Sequence, residues 1–107
     1  MPHILVTGGT GTLGSRVIPR LRDAGCKVRV LSRSSRKAEE GVEFVTGDLA
    51  TGEGIKAAVE RVEIIVHCAG SAKGDEVKAL NLVRAASGTG VRHLVYISVV
   101  GADQVPV

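Results

Sequence analysis

The sequence predicts an α/β domain in which a parallel sheet carries helices on both faces, and three observations predict it. Short apolar runs rich in β-branched residues recur along the chain, as strands buried on both faces should. Segments with helical spacing separate these runs. The connections, about 8 to 20 residues long, have the length of crossovers. The resulting order β-α-β-α-β-α-β-α-β, with right-handed crossovers, winds helices over both sides of the sheet.

Along the chain the strands are His3 to Thr7, Lys27 to Ser32, Val42 to Thr46, Glu63 to Cys68 and Val91 to Ser98. The first helix, Thr12 to Ala24, places Leu13, Val17 and Leu21 at i, i+4 and i+8, ahead of Gly25 as a stop. Pro19 lies inside it and should remove a hydrogen bond and kink the helix, yet the apolar spacing continues on both sides. Ser34 to Glu40 has room for a turn or two of helix. Ile55 to Val62 repeats Ile55, Ala58, Val59 and Val62, and Val77 to Ala86 repeats Val77, Leu80 and Val83 before Gly88 and Gly90. No repeat, low-complexity tract or boundary interrupts residues 1–107, which read as one domain.

Composition excludes several functions. The 107 residues, 44% hydrophobic and 23% charged, are ordinary for a globular chain. The longest apolar stretches fall far short of the roughly 18 residues of a membrane span. The N-terminus lacks the basic segment and cleavage site of a signal peptide, so a cytoplasmic protein without membrane contact is expected. Phe44 and Tyr96 are the only aromatic residues, too few for the stacking platforms of single-stranded nucleic-acid binding. Cys26 and Cys68 show no C-x-x-C and no His/Cys grouping at metal spacing, so both are expected to be reduced core residues and no metal is expected. His67, beside Cys68, reads as structural, and no catalytic Cys/His pair is assigned. The net charge of +3 is uneven: residues 1–40 hold eight Lys/Arg against three acids, and 41–107 hold six against eight. The basic half suits an anionic ligand, a nucleic-acid patch or a solvated face.

A glycine turn favours the anionic ligand. Val6 to Ser15 reads V-T-G-G-T-G-T-L-G-S, directly after the first strand and opening the first helix. Gly8, Gly11 and Gly14 form G-x-x-G-x-x-G, and Gly9, Gly11 and Gly14 also satisfy G-x-G-x-x-G. In this context Gly8 or Gly9 permits the tight turn, Gly11 lets a pyrophosphate approach the backbone, and Gly14 allows close packing of helix on strand. The N–H groups near Thr12 and Leu13, together with the helix dipole, would hold the anion. A nucleotide-hydrolysing P-loop fits poorly, because Ser15 stands where its lysine would be.

The end of the second strand selects among dinucleotides. An NAD site would carry an Asp or Glu there to accept from the ribose 2′-OH. This chain has Ser32-Arg33-Ser34-Ser35-Arg36-Lys37, with hydroxyls and cations and no acid, which suits a 2′-phosphate and favours NADP over NAD. Arg33 is the best-placed candidate, since its planar fork matches a phosphate. The missing acid also weakens flavin-adenine and S-adenosylmethionine readings. Asp48, after the third strand, either meets an adenine edge or caps a helix. Ala69 and Gly70 would let a ribose lie against the backbone after the fourth strand. Ser98, after the fifth, offers a hydroxyl toward the nicotinamide ribose or substrate.

T-G-G-T-G-T-L-G at 7–14, V-R-V-L-S-R with Lys37, G-D-L at 47–49, H-C-A-G at 67–70 and V-R-H-L-V-Y-I-S-V-V-G-A-D at 91–103 together resemble the short-chain dehydrogenase/reductase superfamily. The nearest branch is the atypical one, similar to NmrA-like NAD(P)-binding proteins and NAD(P)H-dependent reductases, and the resemblance covers nearly the whole chain. It implies a Rossmann-type doubly wound parallel sheet of about five strands, in the order 3-2-1-4-5, binding NAD(P)(H). It puts Gly8, Gly11, Thr12, Leu13 and Gly14 at the pyrophosphate, Arg33 and Lys37 beside Ser32 at the 2′-phosphate, Asp48 at adenine, and Ala69 and Gly70 along the ribose.

Catalytic members of that superfamily carry a Ser or Thr after the fifth strand and a Tyr-x-x-x-Lys pair that moves the proton of the substrate oxygen. Here Val99 stands at the second serine position, and Tyr96 is followed four positions later by Val100. The sequence stops at Val107, before the Tyr-x-x-x-Lys region and the substrate-binding part, so no catalytic residue is assigned. The expectation is the NADP(H)-binding N-terminal portion of an oxidoreductase whose remainder takes a small-molecule substrate. The alternative is a non-catalytic NmrA-like redox-sensing or partner-binding module. Without a strand beyond the fifth, the edge Val91 to Ser98 is expected to lie open and to pair with a second copy of the chain.

Overall fold

Five apolar runs become parallel strands in the computed structural model, which describes residues 3–8, 12–33, 41–68, 75–97 and 102–106. For residues 12, 13, 15, 75, 76 and 102–106 it describes the backbone alone. The strands are β1 (His3–Thr7), β2 (Lys27–Ser32), β3 (Val42–Thr46), β4 (Ile64–Cys68) and β5 (His93–Ile97). They lie side by side in the order β3-β2-β1-β4-β5, as expected. The chain starts at the centre, works outward to β3, then returns past β1 to β4 and β5. The Ser34 to Glu40 segment lies outside the described residues.

Alternation along the strands divides the core in two. Ile4 and Val6 of β1 face one apolar layer and Leu5 faces the other, because successive side chains of a strand point to opposite faces. On the first face Val28, Val30, Val42, Val66 and Cys68 pack with Val17, Ile18 and Leu21 of α1 (Thr12–Asp23). On the second, Leu31, Ile65 and Leu94 pack with Ile55 and Ala58 of α2 (Ile55–Ala58) and with Leu82 and Ala86 of α3 (Asp75–Ala86). Fully burying one such Val, Leu or Ile stabilises by about 1.5–3 kcal/mol. The helix α1 continues through Pro19 and stops before Gly25.

Two helices differ from expectation. Helix α2 has four residues, although Val59 and Val62 are buried as its spacing predicts. The chain turns out of helical geometry at Arg61, whose φ is 63°. The Ala58 and Glu60 carbonyls accept hydrogen bonds from Nη1 of Arg29, at 2.8 and 2.7 Å. In α3 the inward residues are Leu82 and Ala86, whereas Val77 and Leu80 are 53% and 49% exposed.

The sheet also has a sixth strand. β6 (Ala102–Pro106) pairs antiparallel with β5, from Ile97 opposite Ala102 to His93 opposite Pro106. The outer edge of β5, expected to be open to a second copy, is therefore occupied by the same chain, and the premise for self-association through β5 falls. Pro106 brings no N–H to this ladder, which a sheet tolerates at an edge strand. Among the described residues no helix is long and apolar enough to cross a membrane.

Candidate functional site

The strands end flush at their carboxyl edge. Thr7 lies level with Leu31 and His67, Ser32 with Thr46, and Cys68 with Ile97. The segments that follow β1, β2, β3 and β4 therefore all leave the sheet at this edge. The neighbours β1 and β4 lead to helices on opposite faces, α1 and α3, so a crevice opens between their exits. Open α/β sheets take ligands at such a switch point.

Gly8 stands at the β1 exit, directly after Thr7. Its φ is +72°, a left-handed conformation, and a Cβ built on it would drive into the Cys68 carbonyl oxygen at the end of β4. A side chain at Gly8 would thus be both strained and blocked. Helix α1 opens at Thr12, and the first N–H groups of a helix have no partner within it. Gly14, in its first turn, is buried. The N-terminus of a helix suits an anion such as a pyrophosphate.

At the β2 exit Ser32 is buried and Arg33 exposed. The Gly47 N–H donates to the Ser32 carbonyl at 2.9 Å, so the loop after β3 lies across the end of β2. A Cβ on Gly47 would come within 2.8 Å of both the Glu53 carbonyl and Leu31 Cδ1, which is why glycine stands there. Asp48 braces this loop: its N–H donates to Glu53 at 2.8 Å, its carbonyl accepts from Gly52 at 2.9 Å, and its Oδ1 accepts from the Ala50 N–H at 2.9 Å. The N-cap of α2 is Gly54, so the helix-cap alternative for Asp48 gives way to a loop brace. A carboxylate offers about four lone-pair sites, and the bond to Ala50 takes one.

One feature was not foreseen. Thr7 Oγ1 and His67 Nδ1 are hydrogen-bonded at 2.6 Å, with His67 only 2% exposed. The His67 ring lies 5.4 Å from that of Tyr96, its level neighbour on β5. The available signal was a Thr and a His each closing an apolar run. Cys26 and Cys68 are both unbridged, and burial pushes the Cys68 thiol pKa up. Gly8, Ser32, Arg33 and Asp48 are thus brought to one edge, with the backbone of Thr12, Leu13 and Gly14 opening α1. Gly11, Lys37, Ala69, Gly70 and Ser98 lie outside the described residues.

A family model described as NAD(P)H-binding matches residues 8–107. The chain is 31% identical to the Photosystem II assembly factor Ycf39 of Synechocystis sp., over 97% of this chain and 36% of that protein. It is 34% identical to an NAD(P)H azoreductase of Xenophilus azovorans, over 92% and 36% respectively. The solved structure of uronate dehydrogenase from Agrobacterium tumefaciens complexed with NAD matches with a TM-score of 0.77 at 30% identity, over 92% of this chain and 41% of that one. The chain spans about a third of the length of the curated relatives it matches.

Proposed function

The chain belongs to the NAD(P)H-binding family, and on that premise we propose that residues 1–107 are the NADP(H)-holding portion of a reductase of the atypical short-chain dehydrogenase type. The observation that carries this is Gly8, whose left-handed conformation at the β1 exit, against the Cys68 carbonyl, only glycine adopts without clash. In this reading Gly8, Gly11, Thr12, Leu13 and Gly14 cradle the pyrophosphate. Ser32, Arg33 and Lys37 take the 2′-phosphate. Asp48 meets the adenine with the acceptors its loop leaves over, Ala69 and Gly70 flank a ribose, and Ser98 faces the nicotinamide end. Bound there, the nicotinamide supplies or accepts hydride. The work of this chain is to bind and orient it.

The preference for NADP rests on the β2 exit, where an exposed Arg33 follows a buried Ser32 and the sequence from Ser32 to Lys37 holds no acid for a ribose diol. A second reading, a partner-binding module that uses the same crevice without catalysis, draws on the likeness to a photosystem assembly factor.

Calorimetric titration with NADP and NAD tests the proposal. NADP should bind more tightly, and Arg33→Ala should weaken it by roughly 1.5 to 3 kcal/mol, the range for hydrogen bonds to charged groups, while barely changing NAD. Equal or tighter binding of NAD would overturn the NADP assignment. Failure to bind either would overturn the crevice itself.

A further inference from the structure

Thr7 and His67 stand level on adjacent strands, one residue before the two exits that flank the crevice. Both are buried, and their side chains meet through the 2.6 Å hydrogen bond. By alternation from Leu5 and Ile65 they lie on the face that carries α2 and α3. One residue further, Gly8 passes against the Cys68 carbonyl. The exits of β1 and β4 are therefore joined twice, by side chains at one level and by backbone packing at the next. The Tyr96 ring, tilted 52° to the imidazole, lies on the strand beyond His67. A buried hydroxyl and imidazole cost free energy unless paired, and apolar residues could fill the same volume.

We propose that His67 is a positioning residue for the dinucleotide. By holding the Thr7 hydroxyl it fixes where Gly8 leaves β1, and so how the start of α1 is presented to a pyrophosphate. This rests on the dinucleotide reading of the crevice. N–H···O hydrogen bonds keep to about 2.7–3.2 Å, so a small displacement of backbone N–H groups loses contacts to a pyrophosphate. A phosphate held at the β2 exit, on the far side of β1, does not feel that displacement.

The test compares NADP with 2′-AMP, which carries the adenosine 2′-phosphate and no pyrophosphate; NAD and adenosine take their places if NAD proves the tighter dinucleotide. Both ligands are titrated into wild type, Thr7→Val, Thr7→Ser and His67→Phe, at a temperature where circular dichroism shows each protein folded. Thr7→Val should weaken the dinucleotide about five-fold, the effect of one hydrogen bond, and leave the fragment unchanged. Thr7→Ser should restore binding, and Thr7→Val with His67→Phe should lose no more than the worse single variant. A merely structural pair would lower the Tm and leave both affinities unchanged, or weaken both ligands equally; either result overturns the proposal. If His67→Phe does not fold, the contrast between Thr7→Val and Thr7→Ser decides alone. Wild type that binds no dinucleotide removes the reading of the crevice and this proposal together, whereas binding with unchanged variants removes this proposal only.

Discussion

Asn81 of α3 donates from Nδ2 to the Leu49 carbonyl at 2.7 Å, tying the helix that follows β4 to the loop that follows β3. The loop braced by Asp48 is thereby held from outside as well as from within, with Leu49 itself buried beneath it. Asn81→Leu should leave that part-buried carbonyl without its donor and cost about 1–2 kcal/mol. Urea unfolding measures it; an unchanged midpoint would mean that the loop is carried by its own backbone bonds.

Gly8→Ala is expected to be more damaging than its one carbon suggests. The left-handed conformation alone costs roughly 1–2 kcal/mol for a residue with a Cβ, and here the Cβ also meets the Cys68 carbonyl. Both stability and dinucleotide affinity should fall. A variant that melts within a degree of wild type and binds NADP as tightly would refute the close approach of the two strand exits.

Arg29 makes two kinds of contact whose sizes can be separated. Its side chain is 13% exposed and serves the Ala58 and Glu60 carbonyls, while its ion pair with Glu43, at 3.5 Å, involves a partner 59% exposed. Hydrogen bonds from a charged donor contribute about 1.5–3 kcal/mol, whereas exposed ion pairs give about 0–1 kcal/mol. Arg29→Met should therefore destabilise by about 2 kcal/mol or more, and Glu43→Gln by less than about 0.5 kcal/mol. Equal losses in chemical denaturation would mean that the ion pair, not the capping of α2, is what matters.

The Cys68 thiol should make stability depend on alkaline pH. Burial raises its pKa in the folded protein, so the unfolded chain, with a cysteine pKa near 8.5, gives up its proton first. The stabilising contribution is complete below about pH 8 and declines as pH climbs past the unfolded value. Melting temperatures recorded from pH 7 upward should fall more steeply for wild type than for Cys68→Ala. Superimposable slopes would refute it. In native protein the half-buried Cys26 should also react with a thiol reagent well before Cys68.

The strands were legible in the sequence because β-branched runs such as Lys27 to Ser32 are buried on both faces, a pattern that sequence alone displays. Helix α1 was legible because Val17 and Leu21 are large and regularly spaced. The inward stripe of α3 was not, since it is built partly from alanines: Ala79 and Val83 are half-buried, and Leu82 and Ala86 buried. The larger Val77 and Leu80 drew the eye to the wrong face. Nothing near Val59 foretells the short α2, because the residue that takes its final carbonyls, Arg29, is 29 positions from Ala58. Of the site, the glycine turn and the β2 exit were readable from local chemistry. The Thr7–His67 bond joins residues 60 positions apart and needed the register of β1 on β4.

The antiparallel pairing of β6 with β5 gives β6 a distinct kinetic character. Ile97 and Ala102, paired across the sheet, are only five positions apart along the chain, whereas β1 meets β4 only after long loops have closed. Hairpins form in microseconds, while pairings between distant segments are slow. Strand β6 can therefore lift and reseat many times within the lifetime of the fold, with the other five strands still paired. Its amides should exchange with solvent through local opening, while those of β1 and β4 wait for global unfolding.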